Sequence, residues 1–204
     1  MTGDQRIPRA SSPLPDTGAA LDDSPQQDKG AMRAALKARR RALDPTVKRD
    51  WDQRIGAQVL AWARAQQPAM LGVYWPLAGE PDLHPAYAEL AQAGVRLALP
   101  VVVARGAALG FAEWLPGEPT VCDAMGVTVP AALRMVERPP ALLVPCLGFN
   151  AQGYRLGYGG GFYDRTLAAA PRPLTLGIAY AFQRVAFEGA AHDVPLDRVL
   201  TEAG

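Results

Sequence analysis

Four glycines fall within five positions: Gly157, Gly159, Gly160 and Gly161. Glycine has no Cβ, so it tolerates positive φ and lets another group approach the backbone closely. A plain turn uses one or two glycines, not four. Upstream, residues 141–144 are an apolar run and read as a buried strand. Downstream, residues 162–170 read as a helix that stops before Pro171. A strand, a glycine loop and a helix aim several backbone N–H groups at one spot, which suits an anion, most often a phosphate. The loop is not a standard nucleotide motif. It lacks G-x-x-x-x-G-K-[ST], and Phe162 stands where G-x-G-x-x-G requires its third glycine. Taken alone, the cluster leaves a ligand loop and a tight structural turn equally open.

Composition narrows the classes. The chain has 204 residues, 49% of them hydrophobic, enough for one core-bearing domain and a tail. Basic and acidic residues balance, 21 against 20, for a net charge of +1, unlike the strongly basic domains that coat nucleic acid. Cys122 and Cys146 are far apart and show no metal-ligand spacing, so a reduced, cytoplasmic setting is expected. No run approaches the roughly 18 apolar residues of a membrane span. The first residues lack the apolar segment of a signal peptide. Residues 1–28 carry Pro8, Pro13, Pro15 and Pro25 among polar residues without periodicity, and read as a disordered tail. Residues 29–204 are expected to form one α/β domain: three layers, with helices on both faces of a mainly parallel sheet.

The first expected helix covers 29–43. Met32, Leu36 and Leu43 recur at helical spacing, and Lys29, Arg33, Lys37 and Arg41 form a basic stripe. On residue type alone that stripe is a solvated face. Asp44-Pro45 is an N-cap followed by proline at the first helical position. The second helix runs to about residue 66, with Val47, Trp51, Ile55 and Val59 at core spacing. Residues 70–75 read as a buried parallel strand ended by Pro76. The loop after it holds Glu80, on the carboxyl edge where open α/β sheets bind ligands. Unaided, Glu80 reads as an exposed loop carboxylate. A helix over 86–93 closes at Gly94, with His84 before it as a surface or capping residue. A strand follows over 95–103, then a short edge strand at 111–114, whose Phe111 and Trp114 suit core and pocket equally. Residues 116–140 are proline-rich loop, and 174–180 is another strand.

The run Arg155-Leu-Gly-Tyr-Gly-Gly-Gly-Phe-Tyr-Asp-Arg165 closely resembles the signature of the 5-formyltetrahydrofolate cyclo-ligases, the methenyltetrahydrofolate synthetases. Pro145-Cys-Leu-Gly-Phe149 before it fits the same family. So do the glutamine after the last long strand, Gln183, and the His192-Asp-Val-Pro-Leu-Asp197 run. The resemblance spans about residues 29–202, and implies the same three-layer α/β architecture. One departure is Tyr158 and Gly160, where some family members place basic side chains.

The resemblance implies ATP and 5-formyltetrahydrofolate as substrates, with Mg²⁺ as cofactor. Lys29 and Arg33 match a lysine and arginine that reach the nucleotide phosphates. They would be joined by Arg155, Leu156, Gly157, Tyr158, Gly159, Gly160, Gly161, Phe162 and Tyr163. The folate would meet Trp75, Glu80 and the loop from Tyr158 to Phe162. Glu80, Arg155 and Tyr163 stand as the catalytic candidates. Asp164 opens a helix, where a carboxylate gains about 0.3–1 kcal/mol from the dipole. Beside a phosphate cradle it is repulsive unless a cation intervenes, and Mg²⁺ binds through one or two carboxylates plus phosphate oxygens. Asp164 and Asp193 match the family's magnesium ligands, with Asp197 as the alternative to Asp193. No nucleic-acid or membrane partner is expected, and the chain is expected to be a monomer or a weak homo-oligomer. Two other classes remain at this stage: a non-catalytic folate store, which needs no ATP, and a sugar-phosphate isomerase or acyl-transfer relative, which needs a general base instead.

Overall fold

The computed structural model describes Met1 and residues 28–204. The tail expected over 1–28 therefore lies outside the described residues, apart from its two ends. Helix α1 (Lys29–Arg41) starts at Asp28, whose carboxylate accepts from the Gly30 and Ala31 amides at 2.8 and 3.1 Å. Asp44 does the same for α2 (Pro45–Gln66), accepting from Thr46 and Val47. Each cap satisfies amides that a helix start leaves without partners. Because Val47 is held in that first turn, it is exposed, and the expected core series begins one turn later. Trp51 packs on Tyr180 and Phe182, while Ile55 and Val59 are wholly buried.

The chain continues through β1 (Met70–Gly72), α3 (His84–Gln92), β2 (Arg96–Val101) and β3 (Gly110–Glu113). Two short strands, β4 (Thr120–Cys122) and β5 (Thr128–Pro130), make a hairpin, followed by β6 (Met135–Val136) and β7 (Ala141–Pro145). A second hairpin joins β8 (Gly148–Phe149) to β9 (Arg155–Leu156). Then come α4 (Phe162–Ala168), β10 (Leu174–Ile178) and β11 (Arg198–Leu200). The seven-stranded sheet has the order β11-β10-β7-β1-β2-β3-β6. Its first five strands are mutually parallel, and β3 and β6 add an antiparallel edge.

Side-chain alternation along β7 shows how the sheet divides the core. Ala141 and Leu143 join a cluster with Ile55 and Val59 of α2 and Tyr87 and Leu90 of α3. Leu142 and Val144 face the other way, toward Leu167 of α4, Phe111 and Met70. The second face is thinly covered, because α4 has only seven residues. A third, smaller cluster joins Leu36 of α1 to Leu147, Leu156 and Phe187.

Several expected elements differ in extent. The strand expected over 70–75 pairs only to Gly72, although the Val73 amide still reaches the Ala98 carbonyl at 2.9 Å. Beyond it the chain leaves the ladder and rises over the carboxyl edge. The helix expected over 162–170 ends at Ala168, and Ala169 is already extended. Residues 116–140, expected as loop, contain β4, β5 and β6. Pro100 sits inside β2 but past the last pair with β1, Gly72 with Ala98, so its missing N–H leaves no gap on that side. Among the described residues no helix is long and apolar enough to cross a membrane.

Candidate active site

From β1 the chain moves to β2 on one side, then crosses back to β7 on the other. The switch point of the sheet therefore lies between the carboxyl ends of β1 and β7, where open α/β sheets form a crevice. A cavity of about 580 Å³ occupies it. The β1 end contributes Tyr74, Trp75 and Glu80, and the β7 end contributes Pro145. The glycine loop, the start of α1 and the segment around Asp193 complete the wall.

In the glycine loop, Gly159 has φ 97° and Gly161 has φ 63°, conformations that side chains with a Cβ rarely adopt. Two carbonyls of the loop are held by arginines. Arg33 Nε donates to the Gly157 carbonyl at 2.9 Å, and Arg165 Nη2 donates to the Gly160 carbonyl at 2.5 Å. Among the described residues, none of the amides from 158 to 164 donates to a protein acceptor. A run of free N–H groups is the feature an anion cradle requires. With α4 so short, the loop amides carry that role more than a helix dipole does.

The expected cations divide by position. Lys29 and Arg33 line the cavity, Lys37 lies over the Tyr158 ring at 5.2 Å, and Arg41 is exposed. Lys29 Nζ is 3.5 Å from Asp193 Oδ2. Arg155 is buried on β9, with Nη2 3.0 Å from Asp164 Oδ2 and its guanidinium 5.1 Å from the Tyr163 ring centre. Burial pushes the Tyr163 phenol well above its ordinary pKa, so it stays protonated. Phe162 closes over Gly160, where a Cβ would meet its ring at 2.8 Å.

Glu80 is 2% exposed, not the exposed loop carboxylate its position suggested. Its Oε2 accepts from the Leu77 amide at 2.8 Å, and its Oε1 accepts from the Tyr158 hydroxyl. Burial, then the charge of Glu80, raises the Tyr158 phenol, which therefore donates. Tyr74 steadies the same loop by donating to the Pro81 carbonyl at 2.8 Å. Trp75 packs edge-on against His84 and Trp114 at the cavity rim.

Asp164 and Asp193 both line the cavity, each already beside a cation. Among the described residues no three acidic, histidine or cysteine side chains gather as an all-protein metal site. Two hard carboxylate donors fit Mg²⁺, which takes one or two carboxylates and completes its shell with phosphate oxygens and water. Asp197 stands elsewhere. It accepts from the Thr175 amide and hydroxyl and from Arg172, away from the cavity. Phe111 and Trp114 are both core residues, each 2% exposed and outside the cavity lining. Gln183 is a strut: its amide donates to the Cys146 and Leu147 carbonyls and its oxygen accepts from the Tyr180 amide.

Sequence reasoning missed Met125 and Val127 from the β4–β5 hairpin, which supply an apolar part of the wall. It also missed Arg40, which is buried behind Glu80. A signal existed: Arg40 follows Met32 and Leu36 at four-residue spacing, so a charge occupies a core position.

Comparison with known proteins points to one family. A model of the 5-formyltetrahydrofolate cyclo-ligase family matches residues 25–202. The 5-formyltetrahydrofolate cyclo-ligase of Escherichia coli K12 is 29% identical over 174 residues, covering 81% of this chain and 96% of its own. That of Mycoplasma pneumoniae is 28% identical, covering 86% and 99%. Among solved structures, the 5,10-methenyltetrahydrofolate synthetase of Mycoplasma pneumoniae superposes with a TM-score of 0.73 at 26% identity, over 86% of this chain and 99% of that one. The Aquifex aeolicus 5,10-methenyltetrahydrofolate synthetase gives 0.74 at 27% identity, over 86% and 90%. The glycine loop, the switch-point cavity and these matches together place the chain in the 5-formyltetrahydrofolate cyclo-ligase family.

Proposed function

We propose that this chain, as a ligase of folate metabolism, cyclises 5-formyltetrahydrofolate to 5,10-methenyltetrahydrofolate and consumes one ATP, releasing ADP and phosphate. The observation that carries the reading is the convergence of three groups on one cavity. These are the free glycine-loop amides, the Lys29 and Arg33 cations, and the buried Glu80 carboxylate.

The chemistry explains why both substrates must share that space. A formamide oxygen is a poor leaving group. Transfer of the γ-phosphoryl group to it creates a carbon open to attack by N10, after which phosphate departs with the oxygen. Phosphoryl transfer needs alignment and charge neutralisation more than covalent help. The loop amides, Lys29, Arg33 and Arg155 supply the neutralisation. Glu80 orients the folate by accepting from ring N–H groups, and Tyr163 packs the reacting groups against Arg155. Asp164 and Asp193 would hold Mg²⁺, which when bound offsets phosphate charge. The free thiols of Cys122 and Cys146 suit a reducing cytoplasm.

The test is an absorbance assay for the methenyl product, with and without ATP and magnesium. Product that forms only with both present supports the proposal. Product that forms without ATP overturns it.

A further inference from the structure

Arg40 and Glu80 are both buried; each Glu80 oxygen accepts a hydrogen bond, whereas Arg40 is not fully paired. Arg40 is 4% exposed and Glu80 is 2% exposed. Arg40 Nη2 donates to the Ala78 carbonyl at 3.2 Å, while Nε and Nη1 have no hydrogen-bond partner. Nη1 lies 3.6 Å from Glu80 Oε1, which is attraction without a hydrogen bond. Buried polar groups in native proteins almost always find partners, so two open donors on one arginine require a reason.

The backbone shows what the arginine organises. The loop from Leu77 to Glu80 folds directly over it. Gly79 has φ 77°, and a Cβ there would meet the Arg40 Cβ at 3.3 Å and its carbonyl oxygen at 3.6 Å. The Ala78 bond and the Glu80 contact then clamp this loop on both sides of the glycine. Arg40 itself does not line the cavity, whereas Glu80 does.

We infer that Arg40 is a positioning residue for substrate binding, acting through Glu80. Its charge compensates the buried carboxylate from behind without occupying an Oε1 lone pair. The Tyr158 hydroxyl takes that oxygen from the cavity side, and a substrate N–H can take its place. A carboxylate so held is an acceptor only, so it selects a ligand that offers N–H donors and rejects one that offers carbonyl oxygen. The inference rests on Glu80 as the folate contact.

The test is a double-mutant cycle, read as equilibrium binding of 5-formyltetrahydrofolate without ATP, so that no chemistry intervenes. The proteins are wild type, Arg40→Met, Glu80→Gln and the double variant, with Arg40→Lys as the conservative control. Arg40→Met and Glu80→Gln should each weaken folate binding about tenfold or more, as truncation of a buried charged pair does. The double variant should bind within about twofold of Glu80→Gln alone, because the two act as one unit. Arg40→Lys should recover part of the loss, and ATP affinity should stay within about twofold throughout. Should Arg40→Met not fold, Arg40→Lys carries the cycle, with a loss expected only where Glu80 is intact. An arginine change that costs as much in the Glu80→Gln background as in the wild type overturns the inference and leaves Glu80 as the folate contact. Unchanged folate affinity in Glu80→Gln overturns both.

Discussion

Arg155 Nη2 lies 3.0 Å from Asp164 Oδ2, joining the strand before the glycine loop to the helix after it. The two side chains are 6% and 17% exposed, so the pair is shielded from solvent screening. It holds an expected phosphate ligand and an expected magnesium ligand in one contact. A nucleotide–magnesium unit entering the cavity would engage both.

Asp164→Asn tests that contact. Asparagine keeps an oxygen for Arg155 but removes the negative charge that magnesium requires. The magnesium concentration for half-maximal rate should rise at least about tenfold, and the melting temperature should fall by about 2–4 °C, as a loss near 1 kcal/mol implies for a chain of this size. A rate titration against magnesium at saturating ATP checks it. Wild-type magnesium dependence would leave Asp164 as only a partner for Arg155.

Lys29→Ala and Arg33→Ala should each weaken ATP binding, since each removes a charge-assisted contact worth about 1.5–3 kcal/mol. The two should differ under conservative replacement. Lysine at position 33 keeps the charge but cannot reproduce the planar guanidinium that meets the Gly157 carbonyl, so recovery should be partial. Calorimetric titration with ATP and magnesium reads both effects. ATP affinity equal to wild type in both alanine variants would reduce the stripe to a solvated helix face.

Glu80→Gln separates the two substrates. The variant keeps the shape but only one acceptor oxygen, so it can serve the Leu77 amide or the Tyr158 hydroxyl and not both, and it loses the charge set against Arg40. The KM for folate should rise by about tenfold while the KM for ATP moves less than about twofold, the signature of lost binding at one substrate only. A parallel rise in both would place Glu80 in general support of the cavity.

The thiols provide a check on the core. Cys146 is 1% exposed, and burial pushes its thiol up to about 12, whereas Cys122 is exposed. A chromogenic disulfide reagent at pH 8 should label one thiol rapidly in the native protein and two after denaturation. The raised folded value also has a sign. The unfolded thiol loses its proton near 8.5, so the stabilisation from protonated Cys146 is complete below that pH. It declines as pH rises from about 8.5 toward the folded value. Two rapidly labelled thiols would contradict the packing.

Helical spacing made the helices legible, as in Ile55 and Val59, and the continuous apolar run at 141–144 marked a buried parallel strand. The glycine loop was legible because its conformational demand is local. What escaped depends on distant contacts. Glu80 gives no sequence sign of burial, because the groups that bury it, Arg40 and Tyr158, lie 40 residues before and 78 after. The β4–β5 hairpin has only three residues a strand, too short for alternation to separate it from loop. Asp193 matches the family's ligand position with Asp197 as the alternative, and the fold turns the first to the cavity and the second to Thr175.

In the proposed reaction the cavity directs the γ-phosphoryl group of ATP onto the formyl oxygen. The most direct measurement uses 5-formyltetrahydrofolate labelled with ¹⁸O in the formyl group, with mass analysis of the phosphate released during turnover. One labelled oxygen is expected in each phosphate. Unlabelled phosphate, with the label recovered in water, would contradict it.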